Sequence, residues 1–171
     1  MHEGRRTTAQ RLTWRTAEPE DAVPVREALD GWWEKRLHHC VQPQLFEHYG
    51  DTTLIVEADG DLVGFLVGWL SQRFPEVAYV HFMGVRQDHR RCGLGLELYR
   101  RFAAMGREHG RTVLRAETGA FNRRSIAFHR SIGFAIEPGD EIVDGVTVHH
   151  DAIGIGGDYV VFSMDLRTGP L

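Results

Sequence analysis

The chain has 171 residues, in the usual range for one domain, and its 20 basic and 24 acidic residues give a formal net charge of −4. Hydrophobic residues make up 42% and charged residues 26% of the sequence, as in an ordinary soluble globular protein. No apolar run approaches the ~20 residues that a membrane span needs, and the acidic balance argues against general binding of nucleic acid.

The amino-terminal segment and the cysteines are consistent with one cytoplasmic domain. Residues 1–10 contain two arginines but no following apolar signal segment, so we expect a disordered tail there. The single domain is then expected over residues 11–171. Cys40 and Cys92 are too few for a disulfide framework, and neither has a second cysteine at metal-ligand spacing.

The first half of the chain predicts a strand, two helices and a hairpin. Proline and acids at residues 18–21 are typical of a helix start, and Gly50 suits the left-handed conformation beyond a helix end. Asp59, Gly60 and Asp61 supply the turn between two segments rich in strand formers. The expected elements are a strand over 11–17, a helix from 18 to Trp32 or Trp33, a helix over 43–49, and hairpin strands over 52–57 and 62–70.

The second half predicts a strand-helix-strand unit followed by shorter elements. Leu94, Leu98, Phe102 and Met105 recur at helical spacing ahead of Gly110. The expected elements are strands over 76–85, 112–118 and 159–166, helices over 94–108 and 122–131, a short strand over 134–137, and a long loop or irregular hairpin over 138–158. The chain therefore predicts a mixed α/β domain.

The turn between the middle strand and the helix after it predicts an anion site. The first turn of a helix has N–H groups without intrahelical partners, and the helix dipole adds partial positive charge, so a pyrophosphate can bind the main chain there. Gly93 and Gly95 let phosphate oxygens approach without a Cβ, and Arg90 and Arg91 can add charge-assisted hydrogen bonds. The alternative is a tight turn that carries solvated arginines.

Two other phosphate-binding motifs are excluded at this turn. The glycines are not followed by a lysine with Ser or Thr, which the P-loop of NTPases requires. The dinucleotide fingerprint lacks its third glycine, because Leu98 occupies that position.

Two blocks of this region resemble the GNAT superfamily of N-acyltransferases. The family signature is Gln or Arg, two residues, Gly, one residue, and then Gly or Ala, which Arg90, Gly93 and Gly95 match in order. The family's Asn…Ala…Leu-Tyr…Gly-Phe pattern is similar to Asn122, Ser125, Phe128, His129, Gly133 and Phe134. The resemblance implies an α/β fold of the α+β type, with a central, mostly antiparallel sheet flanked by helices, whose fourth and fifth strands splay apart.

The resemblance also implies acetyl-CoA as the cosubstrate, with no metal. The pantetheine arm would run between the splayed strands, where the main chain of Met83 and Val85 would pair with its amides. The pyrophosphate would bind Arg90, Arg91, Cys92, Gly93, Leu94 and Gly95. Asn122 would contact the cofactor, although an asparagine at this position can instead serve only as the cap of its helix.

Acetyl transfer to an amine needs two proton-transfer roles, because the amine must be neutral and the departing thiolate must be stabilised. In many family members a tyrosine four residues before the Gly-Phe pair is the acid, and His129 stands there. Alternation along the fourth strand predicts that Tyr79, His81 and Met83 share one face. By resemblance, His81 matches a histidine implicated in deprotonating the amine. Glu117 is a third candidate, for the base or for binding a cationic amine.

Each of these three groups also has a purely structural alternative. His129 could cap or pack its helix, His81 could be satisfied within the sheet, and Glu117 could be a surface carboxylate.

The acceptor pocket is implied by the resemblance to lie between the first helices and the loop before the last strand. The candidates to bind the amine are Trp32, Trp33, Glu34, Phe46 and Tyr79, with His38, His149 and His150 near them. Aromatic walls can bind an aromatic or cationic amine, although such tryptophans can also simply fill the core. The adjacent histidines do not predict a metal site, because no further ligand is suitably spaced.

These observations predict an acetyl-CoA-dependent N-acetyltransferase that acts on a primary amine of a small molecule by direct attack on the thioester. Two alternatives stay open. One is acetylation of a protein's amino terminus or lysine, and the other is a noncatalytic domain that binds or senses acyl-CoA, suggested by the absence of the family tyrosine at position 129. Members of the family often dimerise, so a homodimer is one expected assembly, although no sequence feature defines an interface.

Overall fold

The fold was described from a computed structural model that covers residues 11–152, 154 and 156–171. The tail expected over residues 1–10 lies outside the described residues. The helices are α1 (Ala22–Trp33), α2 (Gln44–Tyr49), α3 (Leu94–Glu108) and α4 (Arg123–Ser131). The strands are β1 (Leu12–Thr16), β2 (Leu54–Ala58), β3 (Asp61–Leu70), β4 (Val77–Val85), β5 (Val113–Gly119), β6 (Ala135–Ile136), β7 (Glu141–Val143), β8 (Val146–His150) and β9 (Asp158–Asp165).

The strands form one mixed sheet in the order β1-β2-β3-β4-β5-β9-β8-β7, with β6 beside β9. Among the described strands, β4 and β5 make the one parallel pair, and all other neighbours are antiparallel. The β4–β5 ladder ends at Val80 and Ala116, although β4 continues to Val85 and β5 to Gly119. The expected sheet with splayed fourth and fifth strands is therefore confirmed.

Two hydrophobic cores cover the two faces of the sheet. On one face, Leu94, Leu98 and Phe102 of α3 are buried against the strands. Each fully buried side chain of this kind stabilises the fold by about 1.5–3 kcal/mol. On the other face, α1 and α2 contribute Leu29 and Phe46 to a second core. The helical spacing of leucine and phenylalanine in α3 thus reflects a real buried stripe.

A β-bulge in β4 changes which residues face each side. The register with β3 passes from Val80 opposite Gly68 to Phe82 opposite Val67, which leaves His81 as the extra residue. Met83 consequently packs against the core under α3, whereas Tyr79 contacts Trp69 on the other face at a ring distance of 4.9 Å. The expectation that Tyr79, His81 and Met83 share one face is therefore wrong, because strict alternation fails at a bulge.

The late segment forms a hairpin, which was one of the two expected outcomes. Strands β7 and β8 pair around Asp144 and Gly145, whose φ values of 49° and 76° are both positive. Such a turn matches the twist of the flanking strands, and Asp-Gly is a typical sequence for it. The Asp-Gly pair between two dipeptides of β-branched residues was the signal for this hairpin in the sequence. Within the described part of the chain, no helix is both long and apolar enough to cross a membrane.

Candidate active site

A cavity of about 540 Å³ fills the cleft where β4 and β5 part. Its walls come from both splayed strands, the turn after β4, and the first turns of α3 and α4. The predicted site residues that line it are Trp33, His81, Met83, Val85, Arg90, Arg91, Gly93, Leu94, Gly95, Glu117, Asn122 and His129. Further lining residues that the sequence did not single out include Tyr99 and Arg124.

The anion cradle begins at the residue before α3. Gly93 has a φ of 85°, in the left-handed region, and no side chain caps the first turn of the helix. The first-turn N–H groups of α3 have no partners within the helix, and Leu94 and Gly95 of this turn line the cavity. The predicted cradle residue Cys92 does not line the cavity, and its thiol donates to the carbonyl oxygen of His89.

The arginines around the cradle come from two different elements. Arg90 donates from Nε to the carbonyl oxygen of Val85 at 2.8 Å, and its guanidinium lies 5.7 Å from the ring of Trp33. Burial and the nearby charge of Arg124 lower the pKa of Arg90. Arg124, on the first turn of α4, lines the same cavity. Two like charges that face one space are unfavourable unless an anion lies between them, so this end of the cavity suits a phosphate.

Asn122 caps α4, as the structural alternative had proposed. Its side chain accepts a hydrogen bond from the backbone N–H of Ser125 at 3.1 Å. Asn122 also lines the cavity, so the cap lies beside the space that a cofactor would occupy.

His129 is buried and uncharged at neutral pH. Its Nδ1 lies 2.8 Å from the carbonyl oxygen of Ser125, which can only accept, so Nδ1 carries the ring proton. Its Nε2 lies 2.7 Å from the hydroxyl oxygen of Tyr99 and accepts that hydrogen. Burial lowers the pKa of His129 to about 4, so the imidazolium form that an acid would use is scarce at neutral pH. The ring also stacks on Phe162 at 4.4 Å.

His81 lies on the opposite face of the sheet, against the segment between α1 and α2. Its Nε2 is 2.7 Å from the carbonyl oxygen of Cys40, so Nε2 donates and Nδ1 has the lone pair. The ring of Trp69 lies 5.2 Å away and restricts the imidazole. Because His81 also lines the cavity, it can accept a proton from a group bound there.

Glu117 lines the cavity, and a hydrogen bond fixes the orientation of its carboxylate. Its Oε1 accepts a hydrogen bond from the hydroxyl of Tyr79 at 2.5 Å. Burial and the Glu117 carboxylate raise the pKa of Tyr79, so the phenol remains the donor. Tyr159 on β9 pairs with Gly119, two residues beyond Glu117 on β5, and burial and the Glu117 carboxylate raise the pKa of this second phenol.

The expected acceptor residues are distributed differently from the prediction. Trp32 stacks on Phe65 at 5.6 Å and packs with the second core, where Phe46 is 1% exposed. Glu34 is exposed at the end of α1. Trp33 alone among the expected tryptophans, glutamate and phenylalanine lines the cavity.

The aromatic residues around His81 and Glu117 are instead Tyr79, Trp69 and Tyr159. Trp69 escaped the sequence analysis because its place beside Tyr79 depends on the register between β3 and β4.

The late histidines do not assemble a metal site with the residues around them. His150 pairs with Asp158 at 3.0 Å, and the earlier His38 pairs with Asp30 at 2.7 Å. Among the residues that the structure describes, no group of three or more His, Cys, Asp or Glu side chains is arranged to hold a metal ion.

Comparison with curated proteins finds acetyltransferases over part of the chain. Mycothiol acetyltransferase of Corynebacterium glutamicum is 31% identical over 109 residues, which are 62% of this chain and 35% of that protein. L-2,4-Diaminobutyric acid acetyltransferase of Nocardia farcinica is 31% identical over 81 residues, which are 47% of this chain and 42% of that protein. The chain thus spans less than half the length of these relatives.

The fold is shared with solved structures and the family is identified by its sequence model. Diaminobutyrate acetyltransferase from Paenibacillus lautus, solved in complex with its substrate L-2,4-diaminobutyric acid and coenzyme A, superposes with a TM-score of 0.66 at 23% identity, covering 95% of this chain and 99% of that chain. The model of the acetyltransferase (GNAT) family matches residues 13–134. The match over most of the chain shows that this protein belongs to the acetyltransferase (GNAT) family.

Proposed function

We propose that this protein transfers the acetyl group of acetyl-CoA to a primary amine of a small molecule. Membership of the acetyltransferase (GNAT) family supports the type of reaction. The observation that carries the proposal is one continuous cavity, which joins the start of α3 and Arg124 to His81 and Glu117 where the strands part. One end suits an anionic cofactor and the other suits an amine, which is the pairing that aminolysis of an acyl-CoA requires.

Positive charges and unpaired backbone groups along the cavity suit the phosphates and amides of coenzyme A. The first-turn N–H groups of α3 and the guanidinium groups of Arg90, Arg91 and Arg124 would hold its phosphates. Beyond Val80, β4 has no partner on the side of β5, so the main chain near Met83 can pair with amides. Acetyl-CoA would supply an acyl group activated as a thioester.

The remaining cavity residues would prepare the amine. Glu117 would bind the ammonium form of the acceptor, and His81 would accept its extra proton at Nδ1, directly or through water. The neutral nitrogen then forms a bond to the acyl carbon, the carbon–sulfur bond breaks, and the electron pair leaves on sulfur. The excess proton of the new amide nitrogen passes to water, and the thiolate takes a proton from water.

A small-molecule acceptor is favoured over a protein by two considerations. Diaminobutyric acid is the named substrate of one curated relative and of one solved structure with this fold. The carboxylate of Glu117 also accepts from the phenol of Tyr79, and the ring of Trp33 lies in the wall of the same cavity, which suits a compact cation.

A panel of amines assayed for thiol release from acetyl-CoA tests the function. The panel would contain L-2,4-diaminobutyric acid, aromatic monoamines, aliphatic diamines and peptides with free amino termini or lysines. We expect turnover with a small amine, and we expect His81→Gln to lower kcat/KM roughly 100-fold or more by removing the base. His109→Gln is the matched control, because His109 is exposed at the end of α3 and does not line the cavity.

The two alternative functions give different results in the same experiment. Turnover on peptides with none on small amines would identify a protein acetyltransferase. Calorimetric binding of acetyl-CoA without turnover on any amine would identify a sensing domain and would refute the proposed reaction.

A further inference from the structure

We propose that the hydroxyl of Tyr99 donates the hydrogen bond that stabilises the departing thiolate, and that His129 positions this hydroxyl. The proposal rests on the proposed acetyl transfer, because it assigns a role within that reaction. The sequence predicted that His129 of α4 contacts the sulfur, whereas Tyr99, which we assign to this contact, lies on α3.

Tyr99 and His129 form an interior pair between α3 and α4. Their side chains are 1% and 5% exposed, and the hydroxyl oxygen lies 2.7 Å from His129 Nε2. The other ring nitrogen is fixed by the carbonyl oxygen of Ser125, so the imidazole presents a lone pair to the phenol. The rings of Phe134 and Phe162 pack against His129 at 5.3 and 4.4 Å. The phenol oxygen is thus held in place, while its hydrogen can rotate about the C–O bond.

The pair lies on the side of the cleft opposite His81. Val80 and Ala116, the last residues at which β4 and β5 pair with each other, belong to the core under α3, and Tyr99 belongs to the same core. Both Tyr99 and His129 line the cavity. His81 is held on the other face of the sheet by the loop between α1 and α2. An acyl group at the point where the strands part would therefore have a base on one side and the phenol on the other.

Breaking the carbon–sulfur bond places a full negative charge on sulfur. The neutral amine nitrogen bonds to the acyl carbon, its excess proton passes to water, and the electron pair of the broken bond moves to sulfur. The O–H of Tyr99, a residue that is 1% exposed, turns from His129 toward the sulfur and stabilises this charge. Burial raises the pKa of Tyr99, so the phenol keeps its proton, and the thiolate takes a proton from water when it leaves.

A single-atom deletion tests the contact in turnover. Tyr99→Phe keeps the buried ring and removes the hydroxyl, so we expect kcat to fall roughly 10- to 100-fold while KM for acetyl-CoA changes less than about twofold. Thr53→Val is the matched control, because it removes another buried hydroxyl, one without a hydrogen-bond partner among the described residues and outside the cavity. We expect its kcat to be unchanged.

A binding comparison tests the same contact without turnover. Coenzyme A and desulfo-coenzyme A differ by the sulfur, and calorimetry at about pH 9 presents much of the thiol as thiolate. We expect Tyr99→Phe to weaken binding of coenzyme A roughly tenfold and to leave binding of desulfo-coenzyme A unchanged. A merely structural role for Tyr99 would weaken both ligands by the same factor and would overturn the proposal, as would an unchanged kcat.

Two substitutions of His129 decide the matter if Tyr99→Phe does not fold. His129→Gln retains an acceptor for the phenol and His129→Leu does not, so we expect a higher kcat in the glutamine variant. Equal kcat values in these two variants would contradict the positioning role. If the wild-type protein binds acetyl-CoA but acetylates no amine, the proposed function fails, and the two-ligand comparison still decides whether Tyr99 contacts the sulfur.

Discussion

Tyr79 donates a hydrogen bond of 2.5 Å to Glu117 at the point where β4 and β5 begin to part. Tyr79 is opposite Arg115 in the parallel ladder, whereas Glu117 follows Ala116, the last residue of β5 that pairs with β4. This hydrogen bond therefore connects the region where β4 and β5 are paired to the region where they separate. It also fixes the direction of a carboxylate that lines the cavity, which prepares that carboxylate to hold a cation.

Glu117→Gln tests this assignment. Glutamine keeps an oxygen that can accept from Tyr79 but removes the negative charge, so we expect KM for the amine to rise about tenfold, with KM for acetyl-CoA nearly unchanged. Steady-state kinetics with each substrate varied in turn measure both constants. Glu97→Gln, which removes a carboxylate paired with Arg101 outside the cavity, is the control. A rise confined to the KM for acetyl-CoA would show that Glu117 does not hold the amine.

Arg124→Ala tests the anion end of the cavity. If a phosphate lies between Arg90 and Arg124, removal of one guanidinium should raise the Kd of coenzyme A by roughly 5- to 30-fold, and the effect should shrink at high salt. Calorimetry at low and high ionic strength measures this. Arg130→Ala is the matched control, because Arg130 lies on the last turn of the same helix and does not line the cavity. An equal effect of both substitutions would indicate long-range attraction and no direct contact.

The spacing of residues along the chain predicted much of this fold. The features that it did not predict depend on pairing between strands that are distant in the sequence. The stripe of Leu94, Leu98 and Phe102 defines α3 without reference to any other element, and all three side chains are buried. The bulge at His81 exists only in the register between β3 and β4, so alternation within β4 cannot predict it.

The same distinction applies to the candidate site. The cradle is a local feature, because two glycines at the start of a helix form it whatever the rest of the chain does. Tyr99 lies next to Leu98 on the buried side of α3, and its spacing does not distinguish it from a core aromatic. The role that we propose for Tyr99 depends on His129, thirty positions away in the sequence, which only the packing of α4 on α3 brings within 2.7 Å.

The buried His129 predicts how stability depends on pH. Its pKa is about 4 in the folded protein and about 6.5 in an unfolded chain, so above pH 6.5 both states are neutral and the contribution to stability is complete. As pH falls toward 4, the unfolded state binds a proton that the folded state does not, and the free energy of unfolding decreases. We expect wild-type protein to lose about 2 kcal/mol more than His129→Gln between pH 7 and pH 5 in urea unfolding.

His150 provides the control of opposite sign. Asp158 raises the pKa of this exposed histidine, so its contribution is present at low pH and is lost as pH rises through the raised pKa. Relative to the wild type, His150→Gln should therefore be destabilised more at pH 5 than at pH 7. If the free energy of unfolding depended on pH in the same way in both variants, the assignment of His129 as the buried neutral group would be contradicted.

Two glycine substitutions test whether the left-handed backbone at Gly93 requires glycine. Gly93 has a φ of 85°, and a Cβ built there meets nothing within 4 Å. Gly93→Ala should therefore cost about 1–2 kcal/mol through the left-handed backbone alone. Gly31 has similar open space but lies within α1 with an ordinary φ, so Gly31→Ala should stabilise the protein by about 0.5–1 kcal/mol. Urea unfolding of both variants measures the two changes, and a shift of the same sign in both would show that strain at Gly93 does not limit the turn before α3.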